Sequence, residues 1–64
     1  MINYQPFWET LKKKKITTYA LIKEYKINSR IVDNMRNNRG ITLKTLEKLC
    51  KALDCKMDEV VRFD

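Results

Sequence analysis

Arg30 and Asn34 stand four residues apart in SRIVDNMRNNRG, so a helix through this stretch sets a guanidinium and an amide one turn apart on one face. Both groups suit hydrogen bonding to base edges, Arg to guanine and Asn to adenine. Ser29, Asp33, Arg36 and Asn37 are left for solvent or for a partner once the apolar residues are turned inward. A helix face meant only for water would carry Glu, Lys, Gln and Ala, whereas Ser, Asn and Asp weaken a helix. Poor helix formers are tolerated where another interaction rewards them. The competing reading, that Asn37–Asn38–Arg39–Gly40 is simply a helix end, is taken for Asn38 and Gly40, with Gly40 expected to stop the helix by adopting φ > 0.

The elements that must position these groups are two short helical patterns and a tight turn between Thr17 and Asn38. Thr17 is a helix cap, with Thr18 just inside, and Leu21, Ile22 and Tyr25 form one apolar face. Lys26 and Ile27 make the turn. Asn28 caps the next helix, whose Val32 and Met35 should face inward. Two helices joined in this way can push the second into a DNA major groove.

Around this pair, Pro6 suits the first turn of an opening helix that continues through Phe7, Trp8 and Leu11 into Lys12–Lys15. The four lysines complement the negative end of the helix dipole, and phosphate contact is their functional reading. Thr42 caps a fourth helix with an apolar stripe of Leu43, Leu46, Leu49, Cys50 and Leu53. Asp54–Cys55–Lys56 breaks it, and a short final helix is expected from about Met57, with Asp58 and Glu59 in its first turn. Met1–Tyr4 and Val61–Phe63 alternate apolar and polar residues, so the two termini can pair as a small ribbon.

Charge narrows the partner class. Residues 1–40 hold nine Lys/Arg against Glu9, Glu24 and Asp33, a net of +6, whereas residues 41–64 hold five of each sign. Positive charge gathered in the half with the two-helix pattern points to a polyanion, because phosphate contact releases condensed counterions. A chain of 64 residues has room for one domain, expected over 1–64, and buries only about 60% of its unfolded surface. No stretch reaches the roughly 20 apolar residues of a membrane helix and no charged-then-apolar leader opens the chain, so a cytoplasmic protein is expected. Cys50 and Cys55 could not bridge easily on one continuous helix, and two cysteines without histidine cannot complete a zinc site of the usual kind. They are read as small apolar residues near the core, with no metal or cofactor expected.

From Ile16 to Val60 the chain resembles the Cro/lambda-repressor-like (Xre-type) helix-turn-helix family of bacterial and phage transcription regulators. The resemblance is carried by Ile16-Thr17-Thr18, Leu21, Ile27–Asn28, Val32 with Met35, and the run ITLKTLEKLCKALDCKMDEV. It implies an all-α, five-helix lambda-repressor-like DNA-binding domain with the helix-turn-helix at about 17–38. It also implies sequence-specific binding to double-stranded DNA, with the third helix in the major groove of a near-palindromic operator. By the same resemblance Ser29, Arg30, Ile31 and Asn34 fall on base-contacting positions, Ile31 against a thymine methyl, while Thr18, Asn37, Arg39 and Lys44 fall on phosphate-contacting ones. A homodimer formed through the fifth helix and the terminal residues, anchored by Phe63, is expected as well. Two positions depart from the family: Ile22 stands where a small Ala is usual, and Lys26 where a Gly is usual. A β-carbon at φ > 0 costs of order 1 kcal/mol, so Lys26 should be strained or the turn reshaped.

Three other functional classes leave different marks on a sequence. An enzyme is not expected, since the chain has no histidine to act as base and no evident nucleophile–base pair. An interaction module, such as an antitoxin or a partner of another regulator, would bind protein and show little DNA sequence preference. An RNA binder would display aromatic platforms, whereas the aromatics here mostly fall on expected core faces, Tyr19 excepted.

Overall fold

A computed structural model describes residues 1–64. The order is β1 (Ile2–Asn3), α1 (Gln5–Lys14), α2 (Thr18–Lys23), α3 (Ser29–Arg36), α4 (Leu43–Leu53), a single 3-10 turn at Met57–Glu59, and β2 (Arg62–Phe63). The termini do pair: β1 and β2 run antiparallel with Ile2 opposite Phe63 and Asn3 opposite Arg62. Asn3 and Arg62 both bond the Asp64 carboxylate, and Asn3 first among them holds it below its usual pKa.

Three of the four α-helices start at the residue expected to cap them. Thr17 Oγ1 accepts the Ala20 N–H at 3.0 Å, Asn28 Oδ1 accepts that of Arg30 at 2.8 Å, and Thr42 Oγ1 accepts that of Thr45 at 3.1 Å. Each bond satisfies one of the donors that a helix N-terminus leaves free. Pro6 lies in the first turn of α1, where its missing N–H costs nothing.

The helix ends are less orthodox. Lys15, Asn38 and Asp54 all take the left-handed conformation. In each case the next residue's N–H bonds a carbonyl five residues back: Ile16 to Leu11 at 2.9 Å, Arg39 to Asn34 at 2.7 Å, and Cys55 to Cys50 at 3.0 Å. This is the Schellman arrangement, normally built on glycine. Gly40, expected to play that part, has no positive φ; Asn38 plays it instead, since a short amide side chain tolerates this region. Lys26 has φ 58°, as its place in the helix-turn-helix demands.

Eleven side chains form one core that draws on every helix: Tyr4, Phe7, Leu11, Leu21, Ile27, Val32, Met35, Leu46, Leu49, Leu53 and Val60. Three sequence expectations need correcting against it. There are four α-helices, not five. The last segment makes one 3-10 turn, closed by Glu59 Oε1 accepting the Lys56 N–H at 3.0 Å, and then leaves it because Val60 is buried and Arg62–Phe63 joins the ribbon. Tyr25 is 37% exposed, because α2 stops at Lys23 and leaves Tyr25 in the turn, while Ile27 becomes the turn's buried residue. Leu43 is 81% exposed, since the first residue of α4 overhangs the core that Leu46, Leu49 and Leu53 enter.

Cys50 and Cys55 are free and half-buried, the second lying beyond the helix that holds the first. Burial pushes both thiols up, Cys55 to about 11, which leaves little reactive thiolate at neutral pH.

Two long-range hydrogen bonds tie the elements together. Thr10 Oγ1, buried in α1, donates to the Glu59 carbonyl at 2.7 Å. The hydroxyl of buried Tyr4 donates to the Arg39 carbonyl and so pins the segment after α3 to the start of α1.

Two substitutions test these assignments. Lys26→Gly should raise stability by about 0.5–1 kcal/mol, a few degrees in thermal midpoint, whereas Gly40→Ala should not lower it. A Cβ at Gly40 would meet nothing within 4 Å. Tyr4→Phe should cost about 0.5–1.5 kcal/mol and speed amide exchange of Arg39 and its neighbours, read by hydrogen-exchange NMR.

Candidate nucleic-acid interface

Val32 and Met35, three residues apart and both buried, decide which way the eight residues of α3 face. At about 100° per residue the opposite side falls to Arg30, Asn34 and Asn37, with Ser29, Asp33 and Arg36 along one flank. That flank faces α2 across an open cleft of about 700 Å³. Thr18, Tyr19 and Ile22 form the wall from α2, and Ser29, Arg30, Asp33 and Arg36 the wall from α3.

The structure thus brings Thr18, Ser29 and Arg30 together in one cleft. The other expected site residues lie around it. Asn34, half-buried, occupies the neighbouring row of α3. Ile31 is also half-buried and packs against the core, so only its outer edge is free to touch anything else. Asn37 is exposed, but its amide already donates to the Asp33 carbonyl at 2.9 Å and completes the end of α3. Arg39 is exposed on the segment pinned by Tyr4, and Lys44 is exposed in the first turn of α4.

Asp33, Arg36 and Tyr19 line the cleft without having been assigned a role from sequence. The signal for the first two was present, since Arg30, Asp33 and Arg36 recur every three residues. Tyr19 is 71% exposed, and the Lys23 ammonium lies 6.0 Å from its ring centroid, within reach of a cation–π attraction.

The single ion pair between side chains joins Arg62 and Asp64, so Arg30, Arg36 and Arg39 keep their guanidinium groups unpaired. A surface that combines free guanidinium, amide, hydroxyl and carboxylate groups on one rigid helix suits recognition by hydrogen bonding. No helix is long and apolar enough to cross a membrane.

Comparison with known proteins agrees with this geometry. A family model described as the Cro/C1-type helix-turn-helix DNA-binding domain matches residues 7–64. Among solved structures, the crystal structure of transcriptional regulator VanUg, Form II, is similar with a TM-score of 0.84, covering 95% of this chain and 81% of that one at 16% sequence identity. At that identity the likeness is one of fold. No curated protein matches the chain. With capped helices on either side of the Glu24–Asn28 turn, a buried Val32/Met35 pair and a family match over nearly its whole length, the chain belongs to the Cro/C1-type helix-turn-helix DNA-binding family.

Proposed function

We propose that this protein is a transcription regulator that binds double-stranded DNA sequence-specifically as one domain over residues 1–64, with α3 in the major groove of a near-palindromic operator. The observation that carries this reading is the polar face of α3, held outward by buried Val32 and Met35 and rich in side chains that a solvent-facing helix would not favour. In this reading Ser29, Arg30 and Asn34 read base edges, and the outer edge of Ile31 meets a thymine methyl. Thr18, Asn37, Arg39 and Lys44 hold phosphates and set the register.

A homodimer would place two copies of α3 in successive major grooves about 34 Å apart. Phe63, 81% exposed, supports this assembly. It rims a small apolar groove of about 180 Å³ with Ile2, Ile41, Leu43 and Val61. Met57 is exposed beside it, so the 3-10 turn takes the place expected of a fifth helix in the contact. The same groove also supports a second reading, a protein-interaction module such as an antitoxin, in which a different protein covers it and DNA is bound with little sequence preference.

Selection of bound duplexes from a random pool tests the first reading, which requires an enriched half-site. Given that site, Arg30→Ala should cost about 1–3 kcal/mol and relax preference at one base position. Lys44→Ala should weaken all sequences alike and lower the salt slope by about one. In sedimentation equilibrium, Phe63→Ala should shift a dimer towards monomer with the thermal midpoint little changed; an unaltered dimer would remove Phe63 from the interface.

A further inference from the structure

Asp33 is the only carboxylate between Glu24 and Glu47, and it lines the cleft between α2 and α3. Arg30 and Arg36 stand three residues to either side on the same wall, yet neither pairs with it. Its side chain makes no hydrogen bond within the protein. The bonds at this residue run through its main-chain carbonyl, which accepts the Asn37 N–H at 3.0 Å and the Asn37 amide at 2.9 Å. Asp is a poor helix former, and the middle of α3 is too far from the N-terminus for the dipole to compensate. The exposed carboxylate therefore does nothing evident for the fold.

It also stands where a general attraction to nucleic acid would exclude it. A negative charge among arginines weakens binding to any phosphate backbone, so a surface selected for affinity alone would not hold one there. An ionised carboxylate only accepts hydrogen bonds. In the major groove the donors on base edges are the amino groups of cytosine and adenine, and the carboxylate's established match is cytosine N4.

We propose that Asp33 is a specificity-determining residue that accepts from a cytosine amino group and repels a duplex that presents only acceptors at that place; this rests on α3 being the DNA-reading helix. Against guanine O6 and N7 or thymine O4, the carboxylate meets another acceptor, and neither gains a hydrogen bond. Arg30, one turn earlier and suited to guanine, lies about 4.5 Å away along the helix axis, close to the roughly 3.4 Å between base steps. The half-site should therefore place the cytosine read by Asp33 next to the base read by Arg30. Discrimination here comes partly from a penalty on wrong sequences.

The test is duplex selection with the full chain and with Asp33→Ala and Asp33→Asn, followed by titration of each on the parent's preferred duplex and on a scrambled one. Asp33→Ala should lose preference at one position by roughly 5- to 150-fold while binding the scrambled duplex more tightly. Asp33→Asn should move that position from cytosine towards adenine. Asp33→Asn should melt like the parent and Asp33→Ala no lower, since the side chain holds nothing in the fold and Ala is the better helix former. Unchanged preference in both variants, or loss of preference at every position at once, would overturn the assignment. A parent that enriches no half-site would instead overturn the DNA-reading role of α3, and the role of Asp33 with it.

Discussion

Burial of Leu21, Ile27, Val32 and Met35 in the common core is the constraint on which the rest of the molecule depends. α2 has six residues and α3 eight, and isolated helices shorter than about 12 residues are marginal in water even with good helix formers. Neither would persist alone, least of all α3 with its Ser, Asp and Asn content. Their order comes from packing into the common core. The direction of every exposed side chain on α3 follows from the inward pair three residues apart.

A second constraint is the scarcity of glycine. The chain has one, and it is not used where the backbone turns left-handed. Lys15, Lys26, Asn38 and Asp54 take those positions instead. The two lysines bracket α2, so each sets a positive charge at a bend where glycine would give a more relaxed backbone. The hydrogen bond from Tyr4 to the Arg39 carbonyl works in the other direction. It holds the segment after α3 against the first helix, so the exposed residues there project from an anchored backbone.

Local chemistry made much of this legible in advance. Thr17, Asn28 and Thr42 cap through their own side chains, and the Val32/Met35 and Leu46/Leu49/Leu53 spacings point inward whatever surrounds them. Two of the misreadings share one cause. Tyr25 and Leu43 are both apolar residues at helix edges, where exposure is decided by how far the neighbouring elements extend. The stop of α3 was assigned to the only glycine, although an Asn two residues earlier could bear the same conformation. The final helix was cut short by the ribbon, a contact between the two ends of the chain that no window of sequence contains. In the candidate site, Arg30 and Ser29 stood out by residue type and Asp33 with Arg36 by their three-residue recurrence, while Tyr19 gained its place only once the wall of α2 was set opposite α3.

The sequence by itself determined the helix starts, the inward faces of α3 and α4, the charge asymmetry and the unusually polar stretch from Ser29 to Asn37. Those properties arise from neighbours within one or two helical turns. Only the tertiary structure decided which polar residues share the α2–α3 cleft, that Ile31 leans on the core, that Tyr4 secures Arg39, and that Leu43 and Phe63 stand beside one exposed apolar groove. Each of these joins residues from different elements, so each depends on chain reversals and packing distances that no local preference encodes.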